Sequence, residues 1–544
     1  MLIFKHTIIP FIMNKFKLAG FVTCLFSGLV LCANAQTSGG KLKPEQAIMD
    51  VRHYNIAINC NFDQKSIDGN TTVDVIMKQP AKTLILDLLD SLHVSEVAVN
   101  GKKEPFEHKN GLITINLNKE LAAGKAAIKV LYNGKPRIAK RPPWDDGFTW
   151  TQDSTGHPWL AVTAEQTGGK IYFPCKDHPS DEPNEGADMY ITVPSNLVVA
   201  GPGLLKGVSK KGSTATYHWQ TKYTINNYSL VFNAGDYTVA KGSYKSVAGN
   251  TVPVQFYVLK EHAAQGPHLV DMVIKAAQAK EKYFGEYPWA KEKLGIVETP
   301  HLGMEHQSMN AYGNKFRYTK VGGQDFDWLM FHEFGHEWWG NKVTARDWAD
   351  YWIHEGIDTY ADALPILDLE GRQAYIDHFK KSAMGIQNKQ PIVLGKDIDE
   401  ASAYNGDIYS KGGFFMHTLH YVMGDTLFFK TLKGLATDPQ FTYDHQNVTD
   451  EVEQYFSKAY GQSLKPLFDM YLRTTDKLEV SVRARSNDKY MLRLQNIKMT
   501  LPVDVVTDAG KQRLMLTDEP QIISSKTTPV IDPDGWYLKK VILE

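Results

Sequence analysis

His332, Glu333, His336 and Glu355 are the residues whose types and spacing speak most directly of a reaction in this 544-residue chain. The two histidines are four apart, a spacing that stacks their side chains on one face of a helix, one turn above the other. Two neutral imidazoles so placed reach one metal ion. Glu333 follows the first of them and lies near the same face, within reach of a water on that metal. This is the His-Glu-x-x-His zinc signature, with Glu333 as candidate general base. Glu355 supplies a third ligand if the helix that carries it folds back on the first. Three protein ligands and one water make the open, catalytic kind of zinc site, in contrast to the closed structural kind with four protein ligands. The competing reading, two core histidines on a buried helix, leaves Glu333 and Glu355 as unpaired buried charges, and that is costly.

The elements that must position these residues follow from the flanking sequence. Phe326 to Trp339 is largely apolar and predicts a buried helix, with Gly340-Asn341 as its stop signal. A second helix is expected over Ala349 to Leu364, joined by a turn short enough to let the two pack antiparallel.

Upstream, residues 36–244 read as an antiparallel β domain. Tyr54–Ile58, Thr72–Ile76 and Leu112–Leu117 alternate, and Asn-Gly pairs at Asn100-Gly101, Asn110-Gly111 and Asn133-Gly134 signal hairpins. The loop Pro142–Phe148 is aromatic and reads equally as a substrate-side loop or a packed surface loop. Glu165, taken alone, reads as a solvated carboxylate. From residue 245 to 475 the pattern changes to a mixed sheet (Val252–Val258, Lys293–Glu298) with a helix from Pro267 to Phe284, then a largely helical stretch from Leu367 to Tyr471. Strands return over 476–544 (Leu478–Val482, Tyr490–Leu494, Val503–Val506, Val530–Asp532), enough for a small β-sandwich. The fold class is therefore multidomain α+β: an N-terminal antiparallel β domain, a thermolysin-like mixed α/β and helical domain, and a small C-terminal β-sandwich.

The chain carries 60 Lys and Arg against 61 Asp and Glu, a formal net charge of -1, which argues against nucleic-acid binding. Residues 1–35 read as an export signal: Lys15 and Lys17 precede the apolar run Leu18–Leu31, and Ala33-Asn34-Ala35 is a small-x-small cleavage site. Met13 is an alternative start. The apolar run is short for a membrane anchor, and no other segment is long and apolar enough to span a membrane. The expected location is periplasmic or secreted, after cleavage near Ala35. The mature chain then keeps two cysteines, Cys60 and Cys175, which read as core residues.

The zinc run, Gly303-Met304-Glu305 upstream of it and Tyr409-Ser410-Lys411-Gly412 downstream resemble the aminopeptidase N and leukotriene hydrolase family of gluzincin metallopeptidases. The third ligand in that family lies eighteen intervening residues after the second histidine, the same gap as between His336 and Glu355. The resemblance covers nearly the whole mature chain. It implies that His332, His336 and Glu355 bind one zinc per chain, that Glu333 deprotonates the attacking water, and that Tyr409 steadies the oxyanion. It implies that Glu305 holds the free α-amine of a peptide while the backbone at Gly303 and Met304 pairs with it like an added strand. Glu165, twelve residues before Asp177, stands at the spacing of a second amine-binding residue. Two departures stand out. No residue separates Gly303 from Met304, and His306 stands where Asn is usual. Many members also carry a large helical domain beyond this point; for the sequence to Glu544 the resemblance leaves two expectations, a more open cleft or one covered by another subunit.

The expected activity is thus a zinc-dependent aminopeptidase that removes the N-terminal residue from peptides with a free N-terminus by metal-activated water. The alternatives are a thermolysin-like zinc endopeptidase, which needs no amine-binding acids, and a silent peptide-binding protein on the same scaffold. Oligomeric state and preferred first residue are not legible.

Overall fold

The computed structural model describes residues 37–544. The expected export signal and its cleavage site lie outside the described residues. Among the described residues, no helix is long and apolar enough to cross a membrane.

The N-terminal region is built on an eight-stranded sheet in which Met49–Asn61 pairs with Ser66–Met77 on one side and Ala187–Pro194 on the other. The alternation read from the sequence is visible as burial. In Ser66–Met77 every second side chain, Val73 and Val75 among them, faces the core. The domain is not wholly antiparallel, because Met49–Asn61 and Ala187–Pro194 run parallel. More than a hundred residues separate them, ample for the crossover that a parallel pair needs. Two of the three Asn-Gly pairs are tight turns with both residues at positive φ, Asn100 (49°) with Gly101 (76°) and Asn110 (53°) with Gly111 (72°). The third, Asn133-Gly134, instead ends the strand Gly124–Gly134 and pairs in register with Asp68 and Ile67. Cys60 and Cys175 are buried and free.

The central region opens with a four-stranded mixed sheet, Tyr237–Lys245, Thr251–Leu259, Leu294–Glu298 and Asn310–Tyr312 in that order, the first pair antiparallel and the others parallel. All but the last residue of the strand Tyr237–Lys245 lies on the N-terminal side of the expected 244/245 boundary, yet the strand pairs into this sheet. The helix Gly266–Phe284, with a proline in its first turn, makes the crossover between the second and third strands. Helices Trp328–Gly335, Trp352–Ala361, Arg372–Ser382, Asp407–Met423, Asp425–Thr437 and Thr449–Tyr460 follow.

The C-terminal strands form a four-stranded and a three-stranded sheet, as expected for a small sandwich. They do not enclose a separate core. Leu478, Val480, Val503 and Trp536 belong to one apolar cluster with the helices of the central region. The Trp536 indole stacks on Tyr421 with ring centres 4.7 Å apart, and Thr418 donates to the Trp536 carbonyl at 2.8 Å. Burying these faces together lets about seventy residues of sheet hold without a core of their own.

Candidate metal centre and the cleft around it

The helix that carries the first histidine is shorter than its apolar run. It spans Trp328–Gly335, because Asp327 caps it by accepting from the Met330 amide at 3.1 Å, while Phe326 belongs to the hairpin strand Gln324–Phe326. His336 is the C-cap, and the turn continues through Trp339, whose carbonyl sits 2.9 Å from His336 Nδ1. The second helix is likewise trimmed to Trp352–Ala361, preceded by a 3-10 turn at Trp348–Asp350. The link between them is longer than a simple turn. It includes Thr344–Ala345, which pairs with Gln446–Asn447.

These elements bring the three expected ligands together. His332 Nε2 and His336 Nε2 are 3.3 Å apart, and Glu355 Oε2 lies 3.3 Å from the second and 3.7 Å from the first. A tetrahedral ion with bonds of 2.0–2.1 Å needs ligand atoms about 3.3–3.4 Å apart. The triangle therefore fits zinc with little adjustment. Glu355 Oε2, its buried corner, has no hydrogen-bond partner in the protein. Such an orphaned acceptor is what a cation would satisfy.

The outer atoms of all three ligands are held. His332 Nδ1 lies 2.8 Å from Asp362 Oδ2 and 3.4 Å from Asp358, and Asp358 is paired with the buried Lys280 at 2.9 Å. Tyr409 donates to Glu355 Oε1 at 2.7 Å and is in turn hydrogen-bonded to Tyr404. Tyr409 reaches Glu355 because helix Asp407–Met423 crosses helix Trp352–Ala361 at two glycines. A Cβ on Gly356 would lie 2.9 Å from the Gly412 Cα.

Burial opposes charge on both imidazoles, but it is outweighed: Asp362 lifts His332 well above its ordinary value, and Glu355 lifts His336 to about 10. Burial would raise Glu355, yet His336 and His332 hold it well below the usual carboxylate range. Glu333 is pushed up to about 8, chiefly by burial, with His332 opposing and Glu305 adding to the rise. The Tyr409 phenol is driven well above 10 by burial and then by Glu355, so it keeps its proton.

Glu333 lies against the backbone of Gly303, where a Cβ would be 2.1 Å from its Oε1. The Gly303-Met304-Glu305 segment runs beside the sheet's last strand. Met304 bridges Ala311 antiparallel, and the Ala311 amide donates to the Met304 carbonyl at 2.8 Å. Glu305 is buried, accepts from Tyr228 at 3.0 Å, and is raised by burial against the pull of His336. Its carbonyl accepts from Asn341 Nδ2 at 2.8 Å. His306 is also buried, and neither of its ring nitrogens has a partner.

Glu165 is not the solvated residue its isolation suggests. It is 6% exposed, leaves Oε1 unpartnered, and is raised well above the carboxylate range by burial and then by Glu305. One cavity of about 270 Å³ brings Glu165, Gly303, Met304 and Glu305 together with His332, Glu333, His336, Glu355 and Tyr409. All nine residues singled out in the sequence line it.

The sequence reading passed over Asp358, Asp362, Lys280, Tyr228 and Tyr404. A signal existed for the two aspartates, which follow Glu355 at +3 and +7, on the same helical face. The loop Pro142–Phe148, left open between two readings, reaches the same site. Pro143 and Trp144 line this cavity.

Comparison with known proteins bears on the whole arrangement. The profile of the Peptidase family M1 domain matches residues 270–471, and that of the Peptidase M1 N-terminal domain matches residues 51–228. Puromycin-sensitive aminopeptidase of Caenorhabditis elegans is 22% identical over 500 residues, 85% of this chain and 51% of that protein. Aminopeptidase N of Escherichia coli (strain K12) is 23% identical over 294 residues, 49% of this chain and 34% of that protein. The chain thus aligns with about half the length, or less, of these curated relatives. Among solved structures, an M1 zinc metallopeptidase mutant from Deinococcus radiodurans, bound to a Tyr-Ser-Ala substrate, superposes with a TM-score of 0.67 at 21% identity. That match covers 78% of this chain and 94% of the other, a likeness of fold.

Proposed function

The chain belongs to peptidase family M1, and from that premise we propose that it is a zinc aminopeptidase that removes the first residue from peptides with a free N-terminus. The observation that carries this reading is the make-up of one cleft. It joins the metal triad and Glu333 to two further buried carboxylates, Glu305 and Glu165, and no Lys or Arg lines it. Buried carboxylates without a cation are costly, and a peptide's α-ammonium supplies one.

In this reading His332, His336 and Glu355 hold one zinc per chain. When bound, zinc supplies Lewis acidity and lowers the pKa of water to about 7. Glu333 takes the proton from the attacking water and returns it to the leaving amine. Tyr409, which keeps its proton, donates to the carbonyl oxygen as negative charge develops there. Asp362 and the Trp339 carbonyl fix the two imidazoles so that their Nε2 atoms face inward. Glu305 and Glu165 pair with the ammonium, and the rib Gly303–Glu305 pairs with the substrate backbone as an added strand. Anchoring the amine places the first peptide bond over Glu333. The chain is exported, with cleavage near Ala35 after the apolar run Leu18–Leu31.

An endopeptidase of thermolysin type has no use for Glu305 and Glu165, and a silent binding protein has none for Glu333. The test is cleavage of one unblocked peptide and its N-acetylated twin, followed by mass spectrometry with zinc quantified. Stepwise trimming of the free-amine peptide alone is expected. Internal cleavage of both at similar rates would establish an endopeptidase, and a zinc-loaded protein that cuts neither would end the aminopeptidase reading.

A further inference from the structure

Trp144 is 59% exposed. Of the eleven tryptophans in the chain it alone is exposed, and six others are essentially without solvent contact. A lone exposed apolar side chain needs no explanation by itself. Trp144 differs in its place and its support. It lines the cavity that holds the metal triad, beside Pro143. Its loop is tied down on both sides of the indole. Asp145 accepts from the Arg137 guanidinium and, at 2.5 Å, from the Lys140 amide. The buried Asp146 accepts from the Thr167 amide, and Arg137 donates to the Thr167 hydroxyl at 3.0 Å. A loop held by four such bonds, with its largest apolar side chain left uncovered at the mouth of a cleft, is prepared to cover something that arrives from outside.

What arrives follows from the anchor points. Thr167 stands two residues after Glu165, so the loop is fastened directly to the segment that carries one of the two amine-binding carboxylates. The side chain of a peptide's first residue branches from the carbon that bears the amine. With the amine at Glu165 and Glu305, that side chain emerges next to the element on which Trp144 is mounted. The lining includes the apolar and aromatic side chains Pro143, Trp144, Leu302, Met304, Leu329 and Tyr404, and its acids Glu165, Glu305, Glu333 and Glu355 are met by no Lys or Arg. Such a surface favours a large apolar or aromatic side chain and repels an acidic one.

We propose that Trp144 is a specificity-determining residue: its indole forms one wall of the subsite for the first residue and selects peptides that begin with a large apolar or aromatic side chain. This rests on the aminopeptidase reading above. A rigid aromatic platform is suited to the task because little side-chain freedom is lost when it is covered.

The experiment uses the zinc-loaded full chain and two sets of unblocked tripeptides. In one set the first residue varies among Phe, Leu, Ala and Glu, and in the other the second residue varies in the same way behind a constant Ala. Wild type, Trp144→Ala and Trp144→Phe are compared, with zinc content and circular dichroism as controls for folding. For wild type, kcat/KM is expected to fall in the order Phe, Leu, Ala, Glu at the first position. In Trp144→Ala the Phe-over-Ala ratio should drop about tenfold, mainly through KM, while cleavage of Ala-first peptides changes little. Trp144→Phe should restore most of the ratio. An unchanged ratio in Trp144→Ala overturns the proposal. So does a uniform loss across all first residues, which would make the loop only structural, or a loss that tracks the second residue. Failure of wild type to trim any of these peptides from the first residue would end the aminopeptidase reading itself, and this proposal with it.

Discussion

The two ends of the cleft are built in opposite ways. At the metal end every ligand is braced from behind: His332 by Asp362, His336 by the Trp339 carbonyl, Glu355 by Tyr409. At the amine end Glu305 has one side-chain donor, Tyr228, and Glu165 leaves a buried oxygen without any. Both ends gather carboxylates out of water, yet only the first spends structure on fixing them. In the proposed reading the difference matches what each end must do. A resident metal stays through every turnover and rewards ligands held rigidly in one geometry. An ammonium comes and goes with each substrate, and a site already satisfied by the protein would gain nothing from binding it.

This contrast can be broken, and the largest effect is expected where the chemistry itself is removed. Glu333→Gln keeps the shape of the base and deletes its proton transfer, so kcat should fall by about 10³-fold or more with zinc content unchanged. Retention of activity in the zinc-loaded variant would show that another group is the base. The next largest loss belongs to the amine end. Glu305→Gln should lower kcat/KM for unblocked peptides by roughly 10- to 100-fold, the worth of one or two charge-assisted bonds, and leave zinc affinity intact. If zinc affinity falls as well, the two ends are not separable. Asp362→Asn probes the brace. It should weaken zinc binding about 10- to 100-fold, read by competition with a chelator, with near-normal turnover at saturating zinc. The smallest change is expected from Tyr228→Phe, which removes the one side-chain donor to Glu305. A rise in KM of about fivefold with kcat preserved would sharpen the contrast, because it would show that the amine end is only lightly supported.

Legibility in the sequence follows the same division. The metal end was readable because its ligands lie within twenty-four residues and obey helical spacing, which is local physics. The helix ends were not readable to the residue. The apolar run Phe326–Trp339 extends past both limits of the helix, and the Asp327 cap and the turn at His336 decided where it begins and ends. Glu165 illustrates the opposite case. Nothing around it marks it as buried, and it drew notice only through resemblance. Its burial and its meeting with Glu305 arise because the segment after strand Pro158–Thr163 and the segment beside strand Asn310–Tyr312 come together across 140 residues of chain. Tyr228 lies seventy-seven residues from its partner and was silent for the same reason.

By itself, then, the sequence determined the spacing of the candidate metal triad and of Glu333 beside it, the alternation that builds the N-terminal sheet and the order of β, helical and β regions. These depend on periodicity and on neighbours a few residues away. Tertiary structure alone decided which carboxylates share one cleft, which of them are braced and which left unpartnered. It also decided that the C-terminal sheets share the core of the helices, and that one tryptophan stands uncovered at the mouth. Each of these is a contact between distant segments, whose worth depends on burial and on the exclusion of water, quantities that no local spacing encodes.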